Sequence, residues 1–180
     1  MNFFSLFKRN LIYNFKKKIS IDNDSTSVDS LDRLFYHYGS DKADIFKKTK
    51  NKGHGYSKFY EQKIEKLKNR KINILEIGSY AGASAAAFAK YLPKSNIFCF
   101  DINISNFEYK SKKIHVFGID IKNQKKTIKT LNKIADQFKI KEFDIIIDDG
   151  SHNLSDILIA LKFFFQYLKK RGLYVIEDFK

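Results

Sequence analysis

The chain has 180 residues, of which 43% are hydrophobic, and it carries a formal net charge of +14. That length and composition suit one folded domain with its own core, and they exclude a chain that is disordered throughout. Its single cysteine excludes a disulfide framework and any multi-cysteine metal site, and we expect a cytoplasmic protein because the sequence shows neither a convincing signal peptide nor an apolar run of transmembrane length.

The first twenty residues predict an amphipathic helix. Phe4, Phe7, Leu11, Phe15 and Ile19 recur at steps of three and four, so they form one helical stripe, and most basic side chains between them fall off it. An interfacial helix on an anionic membrane has this pattern, and so has a helix packed on its own domain or on a second subunit. We favour the packed helix and keep peripheral contact with the inner membrane face, and a homo-oligomer, as alternatives.

Residues 20–70 continue a helical amino-terminal region. A polar linker at 20–30 leads to a helix that ends at Gly39, a basic loop follows, and another helix covers about 57–69. Glycines flank the histidine in Gly53-His-Gly-Tyr56, which predicts a tight loop. We take 1–70 as one region and 71–180 as the domain that follows it.

From residue 71 onward, strands and helices alternate, which predicts an α/β fold with a parallel sheet. The expected strands are 72–77, 96–101, 114–119, 143–149 and 172–177, and the helices between them are 81–92, 124–138 and 154–168. The carboxyl ends of such strands are where open α/β sheets bind their ligands.

Glycines and acids follow the first three strands. Gly78 and Gly82 permit a sharp turn and a close approach to the free N–H groups of the next helix. Glu76, just before them, would repel a pyrophosphate and favour a cationic amino-acid group. Asp101 can accept hydrogen bonds from ribose hydroxyls, and Asp120 is placed to meet an adenine amino group. Each acid alone would usually be a solvated strand end, but their recurrence predicts a nucleoside site.

The fourth and fifth strands also end in acids. Asp148, Asp149 and His152 follow the fourth strand, and Glu177 and Asp178 follow the fifth. Neighbouring strands lie about 4.8 Å apart, so carboxylates at their ends can share one cation. Consecutive residues of an extended strand point to opposite faces. Glu177 and Asp178 can therefore both bind that cation only if the chain turns there.

These motifs resemble a known superfamily and a family within it. Leu75-Glu-Ile-Gly78, Asp101, Gly118-Ile-Asp120 and the fourth-strand motif resemble the class I S-adenosylmethionine-dependent methyltransferases, over roughly residues 70–180. Five motifs more specifically resemble the metal-dependent sugar O-methyltransferases of the mycinamicin type. They are Ile147-Asp-Asp-Gly-Ser-His152, Leu173-Tyr-Val-Ile-Glu-Asp178, Tyr38-Gly-Ser-Asp-Lys42, His54-Gly-Tyr56 and Tyr60-Glu61. The resemblance implies a Rossmann-like fold, whose last two strands we expect to be missing here.

The resemblance also implies a chemistry. The cofactor is S-adenosyl-L-methionine, and Mg²⁺ or another divalent cation is held by Asp149, Glu177 and Asp178. The acceptor is a sugar or a glycan-containing small molecule. His152 is the general base, since histidine can take up a proton near neutral pH. Apart from the resemblance, alternation along the strand would turn Asp148 away from Asp149, so we assign Asp148 to orienting cofactor or substrate.

Two other function classes stay open. A truncated cofactor-binding or interaction protein with little or no catalysis fits a chain that stops two residues after Asp178. A nucleic-acid methyltransferase fits the positive charge, but amino-group methylation of DNA usually uses Asn or Asp followed by two prolines and an aromatic residue after the fourth strand. This chain has Asp-Asp-Gly-Ser-His there and scattered lysines, so we expect no nucleic-acid partner.

Overall fold

A computed structural model describes residues 3–27, 30–50 and 53–179, so linker positions 28 and 29 and the first two residues lie outside the described part. The helices in the described ranges are α1 (Phe3–Phe15), α2 (Leu31–Tyr38), α3 (Asp44–Lys50), α4 (Ser57–Ile64), α5 (Ala83–Tyr91), α6 (Gln124–Phe138) and α7 (Leu154–Phe164). The strands in those ranges are β1 (Ile19–Ser20), β2 (Ile72–Ile77), β3 (Ser95–Asp101), β4 (Tyr109–Lys110), β5 (Ile114–Gly118), β6 (Phe143–Asp148) and β7 (Leu168–Ile176).

The main sheet has five parallel strands in the order β5-β3-β2-β6-β7. The chain builds outward from β2 through β3 to β5 and then returns to the other side of β2 with β6. This reversal creates a switch point between β2 and β6, at the carboxyl ends of the strands. The predicted Rossmann-like α/β fold with a helical segment in front is confirmed.

Both faces of the sheet are covered, which explains the continuous apolar run of β6. Ile145 and Ile147 belong to the core cluster beneath α2 and α5, while Ile146 belongs to the cluster on the opposite face with Leu75 and Phe98. A strand buried on both faces has no need of alternating polar residues. The Asp148 that follows is therefore carried on a rigid, fully buried strand.

The amino-terminal helices share the core of the sheet. Ser30 caps α2 by accepting a hydrogen bond from the Arg33 N–H, and Gly39 ends α2 in the left-handed conformation at φ 80°. Between these caps, Phe35 is buried and meets Phe88 of α5 edge to face, with ring centroids 5.3 Å apart. The predicted division of the chain at residue 70 stays a prediction, since α2 and α5 lie on either side of it.

Two local expectations were wrong, and one small sheet was not expected. The predicted basic loop contains α3, because Oδ1 of Asp32 accepts hydrogen bonds from the Asp44 and Ile45 N–H groups and caps its first turn. The predicted helix at 154–168 stops at Phe164, and β7 already begins at Leu168. A two-stranded parallel sheet of β1 and β4 was not anticipated, because two-residue strands leave no periodicity to read.

The described helices include none that combines the length and apolar character needed to cross a membrane.

Candidate functional site

A cavity of about 810 Å³ opens at the carboxyl edge of the sheet, at the switch point. Its wall is formed mainly by the segments 39–42, 77–81, 100–102, 119–122 and 148–152. Four of these segments follow strands of the main sheet, and the remaining one follows α2. The wall thus combines the strand ends with the amino-terminal region.

Gly78 and Gly82 shape the turn between β2 and α5. Gly78 has φ +86°, and a Cβ atom there would overlap the carbonyl group of Asp149. Gly82 has φ +79°, and a Cβ atom there would overlap the ring of Phe107. Both positions need glycine for its left-handed conformation and for the space. Gly78 lines the cavity, whereas Gly82 lies behind the wall at the start of α5.

Asp101 and Asp120 both lie on the cavity wall, after β3 and β5. Oδ2 of Asp101 accepts a hydrogen bond from the Tyr80 N–H at 2.7 Å, and Oδ1 accepts one from the Asn103 N–H at 2.6 Å. These bonds fix the carboxylate, and each oxygen keeps a lone pair for a hydroxyl donor. Oδ1 of Asp120 accepts a longer bond, 3.1 Å, from the Lys122 N–H.

Asp148 is a buried acid with one unsatisfied oxygen. The residue is 4% exposed, and Oδ1 accepts a hydrogen bond from the Gly150 N–H at 3.3 Å. Oδ2 has no hydrogen-bond partner within the described part of the chain. Burial raises the pKa of Asp148 to about 6. Because a buried acceptor without a partner costs about 1–3 kcal/mol, a donor group of a ligand in the cavity would stabilise this carboxyl group.

Glu76 does not reach the cavity wall. Its side chain is fully buried on the face of β2 that α5 covers, and it accepts a hydrogen bond from the Ser84 hydroxyl. Burial raises the pKa of Glu76 to about 7, against the opposing effect of the Lys42 ammonium. Alternation along β2 sends Glu76 and Ile77 to opposite faces, and it is Ile77 that lines the cavity. The expected contact of Glu76 with a cofactor is thus without support in this geometry.

Lys42 is a site residue that the sequence did not reveal. Its ammonium lies 2.5 Å from Oδ2 of Asp149 and 2.6 Å from Oε2 of Glu177, and its side chain is 2% exposed. The other carboxylate oxygen of Glu177 accepts a hydrogen bond from the Tyr60 hydroxyl. Burial opposes the charge on Lys42, but the two carboxylates outweigh it and raise the pKa of the ammonium. The sequence analysis included Lys42 in the motif Tyr38-Gly-Ser-Asp-Lys42 but assigned no role to this lysine.

Asp178 has other partners than Glu177, although the chain turns at this residue, which has φ +51°. Its Oδ1 accepts a hydrogen bond of 2.5 Å from the Tyr56 hydroxyl and lies 2.6 Å from Nδ1 of His54. Burial, with the bond to Asp178, raises the pKa of Tyr56 to about 12. The glycine-flanked histidine motif, predicted only as a tight loop, therefore supplies two partners for this acid.

Asp149, His152 and Asp178 converge where β6 and β7 end. Each offers a ligand atom, and these three atoms lie within 4.8 Å of one another. Nε2 of His152 is 3.8 Å from Oδ1 of Asp149, and Nδ1 is 3.4 Å from the carbonyl oxygen of Glu177. The structure thus groups two predicted metal ligands with the predicted base and leaves the third, Glu177, outside the group; Lys42 pairs with both Asp149 and Glu177.

Three comparisons describe what this chain is similar to. Residues 75–179 match a family model described as a methyltransferase domain. An 8-demethyl-8-alpha-L-rhamnosyl tetracenomycin-C 2'-O-methyltransferase from Streptomyces olivaceus is 28% identical over 162 residues, which are 86% of this chain and 39% of that enzyme. The mycinamicin VI 2''-O-methyltransferase of Micromonospora griseorubida is 27% identical over 69% of this chain and 31% of that enzyme.

A solved structure agrees with these sequence matches. The MycE methyltransferase of mycinamycin biosynthesis, in complex with Mg, SAH and mycinamycin VI, superposes with a TM-score of 0.66 and 25% identity. The superposition covers 83% of this chain and 39% of that one. The chain therefore spans only 31–39% of the length of these relatives.

Proposed function

The chain belongs to the methyltransferase domain family that its residues 75–179 match, and we propose that it transfers a methyl group from S-adenosylmethionine to a sugar hydroxyl group. The observation that carries the proposal is the convergence of Asp149, His152 and Asp178 beside the cavity at the switch point of the sheet. Relatives named as sugar O-methyltransferases support the acceptor class.

The cavity suits the cofactor in volume and in polar groups. Gly78 lies on the cavity wall, where its turn packs closely against the backbone of Asp149. Asp101 is fixed where it can accept bonds from ribose hydroxyls. Asp120 would meet the adenine amino group from the same wall. The unsatisfied Oδ2 of Asp148 is suited to a cationic or hydroxyl donor. A contact from Glu76 stays a sequence prediction.

The acids at the ends of β6 and β7 suit a divalent cation. Asp149 and Asp178 would hold it, and carboxylate oxygens with few protein ligands are the donor set that Mg²⁺ prefers. When bound, such a cation lowers the pKa of a hydroxyl group that it contacts. Glu177 stays a predicted ligand, but in this arrangement its charge is balanced by Lys42.

His152 is suited to receive the proton that the acceptor hydroxyl releases. A proton on Nδ1 faces the carbonyl oxygen of Glu177 at 3.4 Å, which leaves Nε2 as the atom that can accept another proton. His152 has φ +56°, a left-handed conformation that is strained for a residue with a side chain. Local strain of this kind concentrates at functional sites, which favours a catalytic role for the residue.

The test is methyl transfer from labelled S-adenosylmethionine to a panel of glycosides, with binding of S-adenosylhomocysteine measured in parallel by calorimetry. We expect labelled glycoside, loss of labelling in EDTA, recovery with Mg²⁺, and loss of labelling but not of binding in His152→Gln. Labelling that persists in EDTA would exclude the metal role. Binding without transfer to any glycoside would indicate a cofactor-binding protein, and labelled nucleic acid would indicate a different acceptor.

A further inference from the structure

Helix α1 has a packed face and an exposed apolar face. Leu6 is buried against the domain, and Tyr13 meets Phe107 edge to face with ring centroids 6.3 Å apart. On the other side, Phe7, Leu11 and Phe15 are 57%, 45% and 83% exposed. The helix therefore packs on the domain through Leu6 and Tyr13, whereas the apolar stripe predicted from the sequence, which we expected to be the packed face, is exposed. Neighbouring apolar side chains with such large exposed fractions mark an interaction surface.

The segment that carries the stripe is strongly basic. Residues 1–20 contain five lysine and arginine side chains and no aspartate or glutamate. Lys16 donates a hydrogen bond to the carbonyl oxygen of Asn106, and Lys18 donates one to that of Tyr13. Lys8 and Lys17 are exposed. The apolar stripe is thus accompanied by positive charge that no acid of the same segment compensates.

We propose that this surface, the stripe of Phe7, Leu11 and Phe15 with Lys8 and Lys17, docks on an anionic membrane. An amphipathic helix binds a lipid interface by burying its apolar face at the acyl boundary and placing its cations among anionic headgroups. A second copy of the chain is a poorer occupant. An isologous contact would bring two basic segments together with no acid in either to pair with them.

The membrane surface would lie next to the cavity. Arg9 of α1 donates a hydrogen bond of 3.2 Å to the carbonyl oxygen of Ile102, and Ile102 lines the cavity wall. Docking through α1 would hold the cavity rim beside the lipid. The proposal is independent of the methyl-transfer reaction, because it concerns where the chain resides and not what it catalyses.

Vesicle co-sedimentation of the whole chain tests the proposal. We expect binding to phosphatidylcholine vesicles that contain phosphatidylglycerol, weak binding to phosphatidylcholine alone, and weaker binding at high salt. Phe7→Ser with Phe15→Ser should lower the partition coefficient roughly tenfold or more. Lys8→Glu with Lys17→Glu should lower it by a similar factor, roughly tenfold.

The control is a matched apolar pair elsewhere. Leu158→Ser with Phe165→Ser changes two side chains that are 55% and 59% exposed in and after α7, and it should bind vesicles like the wild type. Thermal melts of all variants establish that they are folded. Equal binding of the Phe7/Phe15 variant and the wild type would overturn the proposal. The proposal would also be overturned if the wild-type chain formed a dimer and did not bind vesicles, and if the Phe7/Phe15 variant lost that dimer.

Discussion

The ammonium of Lys42 lies 2.6 Å from Oε2 of Glu177, and both side chains are almost fully buried. The contact joins the segment after α2 to the end of β7, and Asp149 shares the same ammonium. Burial raises the pKa values of Glu177 and Asp149, although Lys42 opposes this. The ammonium of Lys42 therefore balances the charge of Glu177. Asp178 differs from Glu177 in that its partners are Tyr56 and His54.

Lys42→Met should destabilise the protein by about 3–5 kcal/mol, because it leaves the buried carboxylate of Glu177 and the half-buried one of Asp149 without their cation. Urea unfolding measures the change. Lys48→Met, at an exposed position of α3, is the matched control and should stay within about 0.5 kcal/mol of the wild type. Adding Glu177→Gln to Lys42→Met should recover part of the loss. A Lys42→Met protein as stable as the wild type would show that the ion pair contributes nothing.

Asp178→Asn should weaken Mn²⁺ binding more than Glu177→Gln does. Asp178 lies in the group with Asp149 and His152, whereas Glu177 is held by Lys42 and Tyr60. Losing a ligand carboxylate should lower the affinity by roughly tenfold or more, since changes to groups that merely support a ligand already cost about 10–100-fold. Titration followed by the Mn²⁺ electron paramagnetic resonance signal reports the affinity without any turnover. If Glu177→Gln weakened Mn²⁺ binding more than Asp178→Asn, Glu177 would be a ligand that leaves Lys42 when the metal binds.

Gly78→Ala should be far more damaging than Gly39→Ala. Both glycines have positive φ, +86° and +80°, so both variants carry a backbone strain of about 1–2 kcal/mol. A Cβ atom at 39 meets nothing within 4 Å, whereas one at 78 overlaps the backbone of Asp149. We expect Gly78→Ala to lose several kcal/mol of unfolding free energy, roughly 3 or more, together with S-adenosylhomocysteine binding. Similar losses in the two variants would refute the role of this close approach.

The strand ends were predictable because their signals are local. The apolar run of β6 and the acids after β3, β5, β6 and β7 can be read along the chain, and a parallel sheet necessarily gathers its strand ends at one edge. This reasoning placed Asp101, Asp120 and Asp148 on what proved to be the cavity wall. The expected rule for Glu177 and Asp178 was not sufficient, because the chain turns at Asp178 and the two carboxylates still have different partners.

The partners of those acids were not predictable, because they come from far along the chain. Lys42 is 107 residues from Asp149 and 135 from Glu177, and no periodicity connects such positions. The position of Glu76 behind the cavity wall was not predictable for a related reason. Which face of β2 borders the cavity depends on where α5 packs, and each face of β2 carries two apolar side chains and one polar side chain.

The pH dependence of stability should change when Asp148 is replaced by Asn. Burial raises the pKa of Asp148 from 3.8 to about 6, so the folded protein holds this proton more tightly than the unfolded chain does. The stability contributed by the protonated group is present below about pH 4 and is lost as the pH rises through about 6. Urea unfolding should therefore show Asp148→Asn gaining about 2 kcal/mol on the wild type between about pH 4 and pH 7.5. Asp136→Asn, at an exposed site on α6, serves as the control; a gap between Asp148→Asn and wild type that stays constant with pH would contradict the assignment.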